Sequence, residues 1–180
     1  AKDSHSTEAL KLLANSFFAT KKIEDARLYF NKALTLQPND HEVLKDLGNT
    51  YQAVGDTKTA KHYYQKSIAI HSSYAPALTN LGLLELKTEN KKEALSLLIK
   101  ATESDPRLAP AWNNLANGYL QLGKPQEAET ACRKSIDLNS TLFKSHFFLA
   151  NILVGQNKLQ EAEQPLRKTI ELQPDFLQAH

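Results

Sequence analysis

Six histidines and one cysteine are the side chains in this sequence best suited to metal or nucleophilic chemistry, and their spacing supports neither. His5, His41, His62, His71, His146 and His180 include no pair four residues apart. That spacing is what lets two imidazoles on one helix face share a zinc ion. Cys132 is the sole thiol, which excludes an internal disulfide framework and a cysteine-based zinc site. It reads as an inert core thiol rather than a redox centre, and His146 as a partly buried packing residue. There is no glycine-rich phosphate loop, because Gly48 and Gly82 fall inside helical segments. Catalysis requires converging groups of matched type. The expectation is therefore no enzyme, no catalytic residue, no metal and no cofactor.

What recurs instead is asparagine, whose amide offers a donor and an acceptor together. Asn15, Asn49, Asn117 and Asn151 are spaced by 34 residues or twice that, with Asn80 and Asn114 on an adjoining row. A ladder of amides can hold the backbone of an extended peptide whatever its side chains. Charge points away from nucleic acid. The 22 Lys+Arg against 20 Asp+Glu leave a net charge of +2, and the two signs are interspersed rather than gathered into a basic stripe. The most apolar stretch, FFLANILVG at 147–155, already contains Asn151, so nothing approaches the roughly 18 apolar residues of a membrane helix. No secretory signal opens the sequence. A cytoplasmic protein of a reducing compartment is expected, one that binds neither nucleic acid nor membrane.

The elements that must carry those amides are set by an internal repeat. Pro38, Pro106 and Pro174 recur at intervals of 68, twice 34. The same comb catches Leu13, Leu47, Leu81, Leu115 and Leu149, and one residue later the small Ala14, Gly48, Gly82, Ala116 and Ala150. Ala26, Ala60, Ala94, Ala128 and Ala162 follow without exception, and four residues beyond them stand Phe30, Tyr64, Leu98, Cys132 and Leu166. Each unit reads as two helices of about 14 residues, the small residues letting the helix backbones approach closely. His41 to Val54 and Thr57 to Ile70 make one such pair, separated by Gly55 and Asp56. Low Gly with abundant Ala, Leu, Lys and Glu agrees with an all-α chain. Pro76, Pro110 and Pro125 stand near predicted helix starts. Pro165 falls inside the last predicted helix, where a kink is expected.

In these slots the sequence resembles the tetratricopeptide repeat family. Trp112, Leu115, Ala116 and Tyr119 in AWNNLANGYLQLG match the family's first helix, and Ala128 and Ser135 with PQEAE match the second. His146 stands in place of Trp112, and Glu85 in place of Tyr51 and Tyr119. The wording of LQEAEQPLRKTIELQPDF is similar to bacterial members. The resemblance implies a right-handed α-solenoid, a superhelix of stacked antiparallel helix pairs. Five repeats are expected at 7–40, 41–74, 75–108, 109–142 and 143–176. Residues 1–6 read as the tail of a preceding repeat or a linker, and 177–180 as the start of a truncated sixth, as in a segment of a longer chain. An uncovered apolar stripe on the last helix, including Leu166 and Ile170, would let copies associate end to end.

The resemblance also implies a concave groove lined by slots of each first helix. These are Glu8, Lys11, Asn15 and Phe18; Glu42, Lys45, Asn49 and Gln52; Pro76, Thr79, Leu83 and Leu86; Pro110, Asn113, Asn117 and Leu120; and Lys144, Phe147, Asn151 and Val154. The first two units supply charge and the last three apolar groups. Lys11, Asn15, Lys45, Asn49, Asn80, Leu83, Asn113, Asn114, Asn117, Leu120, Phe147 and Asn151 are the candidate peptide-binding residues. Phe147 would receive an apolar anchor, or else pack beneath a further repeat. The family's carboxylate clamp is matched by Lys45, Asn49 and Asn80, but its last two cationic places hold Pro110 and Asn114. A receptor for acidic chain ends is therefore not expected. The function implied is a non-catalytic module binding an extended peptide or a partner helix. The alternatives are the targeting arm of a larger glycosyl-, sulfo- or methyltransferase and a self-assembling spacer.

Overall fold

The computed structural model describes residues 2–88 and 90–175. The expected opening of a sixth repeat at 177–180, with His180, lies outside them, as does the side chain of His5. Among the described residues there are ten helices and no strand. They form two compact units, Ala1–Ala77 and Leu78–His180.

The first unit contains α1 (Lys2–Ala19), α2 (Ile23–Leu36), α3 (His41–Ala53) and α4 (Thr57–Ile70). α1 packs on α2, α2 on α3, and α3 on α4. The small residue at Gly48 lets α3 and α4 approach closely: a Cβ there would collide with the edge of the Tyr64 ring, which is itself fully buried. Ala14, Ala26, Phe30, Ala33, Val43 and Leu47 form the core between α1, α2 and α3. Leu13 departs from its comb. Leu47, Leu81, Leu115 and Leu149 are buried, whereas Leu13 is 40% exposed. α1 has α2 as its principal helix neighbour, so the outward side of α1 lacks the cover that α2 gives α3.

The second unit holds most of α5 (Ala75–Glu85), then α6 (Lys91–Ser104), α7 (Ala109–Gln121), α8 (Pro125–Leu138), α9 (Phe143–Gly155) and α10 (Leu159–Leu172). α7 packs on α8 and α9 on α10, with α6 against α7 and α8 against α9. Gly82 repeats the close approach of Gly48, since a Cβ there would lie 2.7 Å from Leu98 Cγ. Cys132 is buried with Leu98, Leu115, Leu149 and Leu153 in this unit's core. α10 runs unbroken through Pro165. The ring takes the buried position that Ala131 holds in α8, and the carbonyl deprived of its partner belongs to the exposed Glu161.

The backbone keeps the repeat as strictly as the side chains do. The three-residue turns at 20–22, 54–56, 122–124 and 156–158 each contain a residue with positive φ, and these residues, Lys21 (60°), Gly55 (81°), Gly123 (69°) and Asn157 (61°), stand 34 residues or a multiple apart. Gly adopts that conformation freely, Asn at a small cost and Lys at a larger one. Helix ends repeat too. The N–H groups of Gln37, His71, Asp105, Asn139 and Gln173 each donate to the carbonyl four residues back. Asp40 caps α3 by accepting from the Glu42 and Val43 N–H groups at 3.0 and 3.1 Å. Asp56 caps α4 through the Thr59 N–H, a bond that holds its carboxyl below the ordinary range.

Candidate functional site

In the first unit the predicted site residues are largely occupied by one another. Lys11 Nζ lies 2.7 Å from Glu42, 3.4 Å from Asp40 and 3.6 Å from Glu8. Burial works against its charge, but the Glu42 hydrogen bond and the surrounding carboxylates outweigh that and hold the ammonium protonated above the usual lysine range. Lys45 pairs with its neighbour Asp46. The Tyr64 hydroxyl, with one proton to donate, lies 2.9 Å from Asn49 Oδ1 and 2.5 Å from Gln52 Oε1, and Asn49 Nδ2 donates to Asp46. This amide thus braces α3 against α4. The slots equivalent to Tyr64 in the units of Asn15, Asn117 and Asn151 hold Phe30, Cys132 and Leu166, which carry no hydroxyl. Asn15 is exposed.

An aromatic corner that no spacing rule singled out sits beside these charges. The His41 ring lies 4.8 Å from His71 and 4.5 Å, edge to face, from Tyr74. Burial first, and then the charges of Glu42 and Asp46, push the Tyr74 phenol up to about 12. On the α2 side, the Arg27 guanidinium lies 3.9 Å from the centre of the Tyr51 ring and donates to Thr50 Oγ1. The first ties the start of α3 to the turn after α4, and the second ties α2 to α3.

The second unit brings the apolar candidates into one place. A pocket of about 260 Å³ is lined by Leu83, Asn113, Asn114, Asn117, Phe143, Lys144, Phe147 and Phe148. Leu83 comes from α5, the three asparagines from α7, and the rest from α9. Phe147 is half-buried, its ring 6.3 Å from that of Phe148. Phe143 and Phe148 were not foreseen as lining. They flank Phe147 along α9, and the run FKSHFF could have pointed to them.

The floor is held by buried polar groups. Ser135 Oγ donates to the Ala109 carbonyl at 2.9 Å and lies 2.8 Å from Ser145 Oγ, which in turn donates to Asn113 Oδ1 at 3.1 Å. Asn113 is 5% exposed, so its amide braces the wall. Asn114 and Asn117 remain partly open to the pocket. Two further ring contacts repeat 34 residues apart: Trp112 Nε1 donates to the Pro106 carbonyl, and His146 Nε2 lies 2.9 Å from the Ser140 carbonyl. His146 is buried by that role.

The remaining candidates disperse. Leu120 packs against the core. Asn151 and Val154 are exposed and do not line the pocket. Asn80 is half-buried on α5, and Thr79 and Leu86, expected on the groove, are buried. Among the described residues no cluster of three or more His, Cys, Asp or Glu could hold a metal ion, and no helix is long and apolar enough to cross a membrane. Burial pushes the Cys132 thiol up to about 12.

These regularities have a known counterpart. A family model described as the cilia and flagella-associated protein 70 middle TPR-like domain matches residues 10–139. The chain belongs to the tetratricopeptide repeat family. A second model, described as tetratricopeptide repeat, matches residues 113–175. Neither describes a catalytic family. No curated protein matches the sequence. Among solved structures the chain is similar to PilF of Pseudomonas aeruginosa, at 22% identity over 99% of this chain and 82% of that one, with a TM-score of 0.89. It is also similar to a thermophilic TPR protein of Thermus thermophilus, at 24% identity over 96% and 94%, with a TM-score of 0.79. YrrB, described as a TPR protein with an unusual peptide-binding site, matches at 20% identity over 99% and 96%, with a TM-score of 0.68. The fold is the all-α solenoid architecture of stacked antiparallel helix pairs that TPR proteins share, a protein–protein interaction scaffold.

Proposed function

We propose that this TPR chain is a non-catalytic interaction module, with repeats bounded as the sequence suggests, that seats an extended peptide or a partner helix against α5, α7 and α9. The observation that carries the reading is the pocket itself: Leu83, Phe143, Phe147 and Phe148 surround a space sized for one apolar side chain, with Asn114 and Asn117 beside it. An apolar side chain moved from water into such a space is worth about 1.5–3 kcal/mol, and the two amides would orient the backbone next to it. Lys11, Lys45 and Asn49, already engaged with their own neighbours, support the unit that holds them rather than the ligand. Peptides selected from an unbiased displayed library on the immobilised chain should bind Phe147→Ala about 30-fold more weakly or worse, equivalent to about 2 kcal/mol, with helical circular dichroism unchanged. Equal affinity would remove the pocket from the function.

A second reading, end-to-end association of copies, rests on the apolar exposure of Leu12 (64%) on α1 and Leu159 (61%) on α10. It requires light-scattering mass to rise with concentration, and a constant monomer mass up to about millimolar protein would dismiss it.

A further inference from the structure

Charge is distributed unevenly around the pocket just described. α7 contains no charged residue, and the part of α5 in this unit contains one, Glu85. Glu85 is buried, its carboxylate within reach of Thr88 Oγ1 and Asn90 Nδ2. α9 contains one Lys or Arg, Lys144, and no Asp or Glu. Lys144 is exposed, lines the pocket rim, and has no carboxylate partner among the described residues. The two lysines among the first unit's candidate residues, Lys11 and Lys45, are by contrast ion-paired.

The amides add to the same polarity. Asn114 Oδ1 already accepts from Asn113, and Asn117 Oδ1 from Gln121. Their Nδ2 groups have no acceptor among the described residues. The rim thus offers one ammonium without a carboxylate partner and two free amide N–H₂ groups beside an apolar space, each amide oxygen already accepting one hydrogen bond.

We infer that this pocket recognises an acidic peptide segment, in which the carboxylate of an Asp or Glu side chain pairs with Lys144 while the apolar side chain next to it enters between Leu83, Phe143, Phe147 and Phe148. The inference rests on the peptide-binding reading above and narrows its ligand class. One cation matches one carboxylate, whereas a phosphorylated side chain brings about −1.5 to −2 charges and would be left under-neutralised. Lys144 stands at the rim, one turn before Phe147 on α9. The acid must therefore be borne by a residue beside the anchor rather than by a chain end seated within the pocket.

The test uses fluorescein-labelled octapeptide pools blocked at both ends, with a central Phe flanked by Glu in one pool and by Gln in the other. At about 20 mM salt the Glu pool should bind about 3- to 5-fold more tightly, a margin that shrinks towards unity at about 0.5 M. Lys144→Gln should abolish the margin without changing helical content, and Phe147→Ala should weaken both pools. Equal binding of the two pools, both weakened by Phe147→Ala, would overturn the acidic assignment and leave the groove reading standing. Binding of neither pool would overturn both. A Gln pool ending in a free carboxylate that binds more tightly than the blocked Glu pool would overturn the side-chain assignment in favour of a chain end.

Discussion

Cys132 shows how much a single side chain can reveal about its surroundings. Its thiol occupies the slot of Phe30 and Leu98, is buried, and is pushed up to about 12 by that burial. The thiolate is disfavoured in the folded state, so the fold is not penalised at pH values below the ordinary thiol value of about 8.5. As pH rises from there towards about 12, the unfolded chain gains from ionising and stability falls. Urea melts of the parent should therefore weaken across that window more than those of Cys132→Ala, and the native thiol should stay unreactive to a disulfide reagent near pH 8. Rapid native labelling would contradict the burial. The buried role of Cys132 was legible because three equivalent slots hold apolar residues. The role of Asn49 was not, because an Asn in this slot reads alike whether its amide meets a ligand or a neighbouring hydroxyl. Tyr64 decides it at Asn49, and the comb that places Tyr64 beside Phe30 and Cys132 held that information without declaring the hydrogen bond. His146 was readable as packing, but the carbonyl it meets was not, since that bond depends on how Ser140 turns.

Between elements, the recurring positive φ in four of the turns that join the two helices of a pair is easily tested. Lys21, Gly55, Gly123 and Asn157 all adopt positive φ, although only two of them are glycines. A lysine there carries a left-handed penalty of about 1–2 kcal/mol that glycine avoids, offset in part by glycine's greater freedom in the unfolded chain. Lys21→Gly should raise the unfolding free energy by up to about 1 kcal/mol, read from urea midpoints at unchanged slope. A loss of stability would mean that the Lys21 side chain contributes contacts outweighing its strain, since glycine keeps the backbone bond to the Phe18 carbonyl. Helix pairing was legible from the alternation of small and large residues, and Gly48 against Tyr64 realises it directly. Pro165 was expected inside the last helix, with a kink, and it lies within the fourteen residues of α10, where a buried ring and an exposed orphan carbonyl accommodate it.

For the whole molecule, the repeat made the family legible before any coordinates, because the same slots agree in all five stretches of 34. The ligand face was legible only in part. Periodicity assigns Leu83, Asn117 and Phe147 to one face of their helices, but it does not say which slots fill the core, and Asn113, Thr79 and Leu86 turned inward. The pocket arises where α9 departs from the repeat with three phenylalanines, and departures are what a consensus pattern hides. The central claim is that this departure is the binding site. It can be read directly from ring resonances of the chain carrying labelled phenylalanine, titrated with a library-selected peptide. Phe143, Phe147 and Phe148 should shift together, in proportion to occupancy, while Phe17, Phe18 and Phe30 stay in place. Saturating peptide that moves the latter three and leaves the α9 rings unmoved would contradict the account.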